Sequence, residues 1–286
     1  MSSPFAPPTA SGPLIAPAGG PNRSDLASYA LPALAALVVG VFFLAPWSFE
    51  DKARAALHGL CAQTPSHSFA LGERRLPFDA RMTGIYGGFL VTAAYLLLRG
   101  RTRVFGLPPL RVLAALGLFV VAMAVDGLNS FLLDLQVWHA YAPQNDLRLA
   151  TGLLTGIALA TVVWFLVGST LWRDGHGDPK APPVGGLREL ALVVVLQAPF
   201  ALLVRSGASW AWVPLAVALL ASAVFAVGAI LLVIVVLLRR QDATFTAPSQ
   251  LRAPAAAALL LAFVAMAAIA GARYWLEATI GLVPPV

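Results

Sequence analysis

Two short stretches of this sequence hold the residue types that could do chemistry. In the first, His58, Cys61, His67 and Asp79 supply imidazole, thiol and carboxylate, all of them metal-ligating groups. Protein metal sites pair such ligands at short, fixed spacings and close a shell of three or four around the ion. These four follow no such spacing. Cys61 is the one cysteine of the chain, so neither a disulfide nor a Cys-x-x-Cys redox pair can form within it. The expectation is no bound metal and no cofactor, with Cys61 a small buried apolar side chain and the histidines interfacial.

The second stretch is Asp126 with Asn129, three residues apart in the apolar run 111–133 and hence on one helix face. An ionised Asp at the centre of a membrane helix costs roughly 2.5–3.5 kcal/mol even on the lenient insertion scale, so it must face protein or water and have a partner. Arg81 and Arg148 are the candidate counter-ions, because a guanidinium can satisfy a carboxylate bidentately and keeps its charge. Counted from Leu133, Asp126 lies about 10 Å deep. The beginnings of the second and fourth apolar runs reach the same level, adding Thr83, Tyr86 and Thr151. The expectation is one outward-facing polar cluster of Arg81, Thr83, Tyr86, Asp126, Asn129, Arg148 and Thr151, serving either as a lock between helices or as a ligand site.

The elements that must position these residues follow from composition. Of 286 residues 59% are hydrophobic and 11% charged, and the mean hydropathy is +0.81, which excludes a soluble enzyme, a disordered tail protein and a secreted mini-domain. The net charge of +6 is spread between apolar runs and forms no stripe that could track phosphates, so nucleic acid is excluded as a partner. A bilayer core of about 30 Å needs roughly 20 apolar residues in a helix, and such runs lie near 26–46, 78–98, 111–133, 149–172, 187–204, 212–238 and 253–272. Each must be helical, since an open strand would leave its backbone polar groups unpaired in lipid. The fold class expected is therefore all-α, a polytopic integral membrane bundle of about seven transmembrane helices.

Orientation follows from the basic residues. From the connection after the second run onward, Lys and Arg alternate four, one, three, one, three, one. By the positive-inside rule this puts the amino terminus in the cytoplasm and the carboxyl terminus outside a cytoplasmic membrane. Residues 1–25, rich in Pro, Ser, Ala and Gly, read as a flexible cytoplasmic tail and not as a signal peptide. The first connection, from Trp47 to about Arg81, departs from the alternation with five basic residues (Lys52, Arg54, Arg74, Arg75, Arg81), but it carries its own acids (Glu50, Asp51, Glu73, Asp79), and its segment 47–77 reads as a folded extracytoplasmic piece. Gly84 with Gly88, and Gly152 with Gly156, have the four-residue spacing that lets helices approach closely. Gln197 and Pro199 predict a kink in the fifth run, Trp210, Trp212, Tyr274 and Trp275 read as interfacial anchors, and Asp174 to Asp178 as a solvated turn.

Between Leu60 and Gly88 the chain reads LCAQTPSHSFALGERRLPFDARMTGIYGG. This resembles a family of prokaryotic integral membrane proteins, domain of unknown function 2085, whose pattern is Cys-His-Gln-x-Pro-x-Arg-Ser-Phe, then Gly, then Leu-Pro-x-Cys-Ala-Arg-x-Thr-Gly-Ile-Tyr. A second block resembles it at Asp126-Gly127-Leu128, Asn145, Leu147-Arg148-Leu149 and Thr151-Gly152-Leu153-Leu154. The two blocks cover roughly residues 57–157. Against the family pattern, the His after Cys is Ala62 here, the Arg is His67 and the second Cys is Asp79, so the thiols and imidazole that could hold a metal or redox centre are gone.

These readings point away from catalysis. The function expected is that of a non-catalytic polytopic membrane protein, an accessory or structural subunit of a larger membrane assembly, with the bilayer and other membrane subunits as partners. The alternatives are a transporter or small-ligand binder using the cluster around Asp126, and a metal- or thiol-dependent membrane enzyme.

Overall fold

The computed structural model describes residues 23–281, and side chains from Tyr29 onward. The expected tail lies, up to residue 22, outside the described residues. The chain forms α1 (Arg23–Leu44), α2 (Phe49–Leu57), a 3-10 turn (Pro65–His67), a two-residue hairpin of β1 (Ala70–Leu71) and β2 (Arg74–Arg75), then α3 (Ala80–Leu98), α4 (Leu110–Asp134), α5 (Asn145–Leu171), α6 (Leu187–Val195), α7 (Ala198–Arg205), α8 (Trp212–Leu238) and α9 (Arg252–Thr279). The hairpin is antiparallel, with Ala70 opposite Arg75 and Leu71 opposite Arg74.

Among the described residues six helical segments are long and apolar enough to cross a membrane: Ala80–Leu98, Leu110–Asp134, Asn145–Leu171, Leu187–Arg205, Ser209–Leu238 and Pro248–Thr279. A shorter apolar helix, Tyr29–Leu44, makes a total of about seven plausible. The surface agrees with a lipid environment. On α4 the large side chains Leu118, Val121, Val125, Leu128 and Phe131 are exposed, whereas Asp126, Asn129 and Ser130 are buried. That is the reverse of a helix packed in water, and it is the arrangement hydrocarbon demands.

The helix limits have local causes. Asp79 caps α3 by accepting a hydrogen bond from the Met82 amide at 2.8 Å. α6 gives way to α7 around Gln197, because Pro199 has no N–H to offer the preceding turn. There the Gln197 amide side chain donates to the Val193 carbonyl at 3.1 Å, replacing a backbone donor. α9 continues past the apolar run that ends near 272, where the partly buried Arg273 and the buried Glu277 pair with each other one turn apart.

α3 and α5 form the closest pair. A Cβ added to Gly84 would come 2.8 Å from Leu153 N, and one added to Gly156 would come 2.6 Å from Phe89 N, so the two backbones touch where only glycine fits. α4 lies against α5, α8 against both α3 and α5, and α9 joins α8 to α1 and α2. The main core, including Phe78, Phe89, Leu149 and Leu219, sits between α3, α5 and α8.

One expected interfacial anchor is a core residue instead. Trp212 is 2% exposed, meets Phe49 edge-on at 6.1 Å and donates its indole N–H to the Arg75 carbonyl at 2.9 Å. The cause is the segment 47–77, which folds back over this end of the bundle and covers it. Trp210 and Trp275 are exposed, and Tyr274 is stacked on His58 at 4.0 Å.

Candidate functional site

Asp126 is 2% exposed and sits where α3, α4 and the loop 135–144 meet. Its Oδ2 accepts from the Arg81 guanidinium at 2.7 Å, and its Oδ1 accepts from the Tyr141 hydroxyl at 3.0 Å. The same Arg81 nitrogen reaches Ser130 Oγ at 3.3 Å, and Ser130 donates to the Asp126 carbonyl at 2.9 Å. Burial and the Asp126 carboxylate both push the Tyr141 hydroxyl up from its ordinary range, which keeps it protonated and a donor.

Asn129 works on the same loop from one turn further along. Its Oδ1 accepts from the Ala140 amide at 2.7 Å and its Nδ2 donates to the Tyr141 carbonyl at 2.8 Å. A single polar face of α4 therefore holds α3 through Arg81 and folds its own following loop back onto the helix through Asn129 and Tyr141.

Of the two candidate counter-ions, then, Arg81 pairs with Asp126 and Arg148 does not. Arg148 is 5% exposed, and its side chain donates to Asn145 Oδ1 at 2.9 Å. Among the described residues it has no carboxylate within 4.0 Å. Thr83 and Thr151 are buried but spend their hydroxyls on backbone carbonyls, Phe78 at 3.3 Å and Leu147 at 2.9 Å. Tyr86 stacks on Phe78 at 4.9 Å in the core. The contact set around Asp126 is thus smaller than the cluster expected from depth alone, since equal depth does not fix which way a side chain faces. Ser130 and Tyr141 were not expected there. Ser130 is four residues from Asp126, and that spacing was a usable signal; Tyr141 lies in a loop and no periodicity points to it.

The four weak metal candidates are not gathered into one site, and among the described residues no group of three His, Cys, Asp or Glu is placed to hold an ion. Cys61 Sγ accepts amide hydrogens from Gln63 and Asp79, both at 3.3 Å. Burial, followed by the Asp79 charge, pushes the thiol up to about 12. His67 lies on the 3-10 turn, where burial first and the Arg148 guanidinium next lower its proton affinity. His58 is not interfacial, contrary to expectation: it is buried and its Nε2 lies 2.8 Å from Glu277 Oε2.

That contact belongs to a second polar centre that the sequence reading missed. Arg273 Nε donates to Glu277 Oε1 at 2.7 Å, and another Arg273 nitrogen donates to the carbonyls of His58, at 2.7 Å, and Cys61. Arg273 and Glu277 are one helical turn apart, a visible pairing signal, but they lie beyond the apolar run and their partner is more than 200 residues away in sequence. A third centre lies near the other ends of the helices, where Arg101 pairs with Glu189 at 3.0 Å and Tyr95 donates to Glu189 at 2.7 Å.

The Arg81–Asp126 pair and the glycine contacts of α3 with α5 fall inside one continuous stretch of chain. Residues 61–162 match the family described as predicted membrane protein, DUF2085. The match begins at Cys61 and takes in α3, α4, the loop 135–144 and the first two thirds of α5, and so every partner of Asp126. α8, α9 and Glu277 lie outside it. No curated protein and no solved structure matches the chain. The protein is a membrane protein, and the DUF2085 segment is the part that carries the buried Asp126.

Proposed function

We propose that this membrane protein acts by binding and holding, as an accessory or structural subunit of a larger assembly in the cytoplasmic membrane, and that the Arg81–Asp126–Tyr141 contact is its internal lock. The observation that carries this reading is that both oxygens of the buried Asp126 are taken by partners from the chain itself. A carboxylate so engaged fixes packing and is not set up to move a proton or coordinate an ion. The Cys61 thiol, held protonated far above neutrality, is a poor nucleophile and a poor metal ligand.

The amino terminus is proposed to be cytoplasmic and the carboxyl terminus extracytoplasmic, from the alternation of basic residues. Single cysteines at Ser11, Arg101, Asn145 and Ser249, labelled from outside in intact cells, test this: only Asn145 should react, and reaction at Arg101 would reverse the orientation. The subunit role is tested by gentle purification from native membranes. Stoichiometric membrane proteins should co-purify with the wild type, and a chain that runs alone would count against it.

One observation favours a second reading, a ligand-binding or transport protein. Arg148 is a nearly buried guanidinium whose side chain has a single neutral partner among the described residues, and a small anion would complete its hydrogen bonding. Saturable binding of a carboxylate or phosphate compound that is lost in Arg148→Gln, with folding intact, would move the assignment to this reading.

A further inference from the structure

A groove of about 500 Å³ opens between α1, α8 and α9. All fourteen residues lining it are Ala, Val, Leu, Phe or Met, among them Val38, Phe43, Ala221, Phe225 and Ala267. Its volume lies within the usual range for small-molecule sites. On α8 it extends from Val217 to Phe225, about 12 Å along the axis. α8 and α9 are both candidate spans, so the groove lies at hydrocarbon depth.

At one end of this groove lies a cation. Lys52 is 7% exposed, and its Nζ donates to the carbonyl of Phe43, whose residue also lines the groove, at 2.8 Å. Ala56, one turn further along α2 and on the same face as Lys52, is another lining residue. Among the described residues no carboxylate lies within ion-pair distance of Lys52: Glu50 pairs with Arg54, and Asp51 accepts from Ser48. One neutral carbonyl leaves two of the three ammonium donors unused. Leu44 and Trp47 are exposed beside it, where the chain leaves α1 and the apolar surface ends.

We propose that the groove seats one acyl chain of an anionic phospholipid whose phosphate lies on Lys52. An apolar groove alone selects nothing within a bilayer, because lipid tails are as apolar as the side chains that would replace them. Selection must come from the charge. One Lys near a headgroup gives about a fivefold preference for an anionic over a zwitterionic lipid.

The test uses the full-length protein in mild detergent, with phosphatidylglycerol and phosphatidylcholine of identical chains and, as a head without a tail, inorganic phosphate. Native mass spectrometry counts retained lipid and melting temperature reports stabilisation. The expected result is one retained phosphatidylglycerol, about fivefold favoured over phosphatidylcholine, with no effect of phosphate alone. Ala221→Phe and Ala267→Phe, which fill the groove, should lose it, and Lys52→Gln should keep lipid but lose the preference. Because Lys52 also ties α2 to the end of α1, the two groove-filling variants decide the matter if Lys52→Gln fails to fold. Equal retention of both lipids by the wild type, retention of phosphatidylglycerol by the filled variants, full stabilisation by phosphate alone, or a lipid-free mass of two chains would each overturn the proposal.

Discussion

The α3–α4–α5 half of the bundle and the α1–α8–α9 half solve helix packing in different ways. In the first, glycines bring backbones into contact and an ion pair on the buried Asp126 joins α3 to α4: a Cβ on Gly152 would come 3.0 Å from Gly84 Cα. In the second, Gly228 and Gly271 have nothing within 4 Å of where a Cβ would be, and the helices leave a groove between them. In a bilayer no hydrophobic force drives helices together, so close packing and interhelical polar contacts must do so. The first half has both, and it is the half that the DUF2085 match covers. In the second, α9 packs along α8 and α1, and Arg273 and Glu277 tie its far end to His58 and Cys61 beyond α2.

The largest effect that would separate the two halves comes from side-chain volume. Gly156→Val should prevent accumulation of folded protein, because the added carbons meet the backbone of Phe89 and Gly88 and helices cannot give way there. Gly228→Ala should leave the yield and melting temperature unchanged or raise stability by up to about 1 kcal/mol, as Ala is the better helix former. If both variants behaved alike, as measured by expression and thermal melting in detergent, the contrast between tight and loose halves would fail.

Next in size is the lock. Asp126→Ala leaves the partly buried Arg81 guanidinium without its charge partner; breaking one side of a fully buried pair costs about 3–5 kcal/mol, and the quarter exposure of Arg81 sets the loss here at or below the lower end of that range. The double variant Arg81→Met with Asp126→Leu should recover much of that loss, since it removes both charges. Thermal melting of the three proteins in one detergent measures it. A single variant as stable as the wild type would show that the pair does not fix this half.

Tyr141→Phe sharpens the same point at smaller scale. It removes one hydrogen bond to a charged group, worth about 1.5–3 kcal/mol, and leaves Arg81 in place. Limited proteolysis should then cut the loop 135–144 faster while the helices stay intact. Unchanged cleavage would mean that Asn129 alone holds the loop.

The smallest effect is at Cys61. Its thiol is pushed up from 9.0 to about 12 in the folded protein, so folding favours the protonated form. The resulting contribution to stability is complete below 9.0 and is lost as pH rises toward about 12, because the unfolded chain releases this proton first. At mildly alkaline pH a maleimide should leave folded protein unmodified and react fully after denaturation. Rapid labelling of the folded protein would show an open thiol.

How much of this was legible beforehand depended on the range of each interaction. Asp126 stood out because a charge inside an apolar run has few explanations, and the paired glycines on two runs pointed to their contact. Choosing Arg81 over Arg148 was not possible from depth alone, because both arginines sit in a first turn and only the rotation of α3 and α5 about their axes decides which one faces α4. The sequence alone determined the class of protein, through runs of apolar residues that hydrocarbon forces into helices, and it determined that Asp126 would have a partner. Only the tertiary structure decided that Trp212 is covered by the segment 47–77, that His58 meets Glu277 across the chain, and that α1, α8 and α9 leave a groove beside Lys52. The physical reason is that local pattern fixes what must be buried, whereas the identity of each burying partner depends on helix rotation and loop path, which no periodicity encodes.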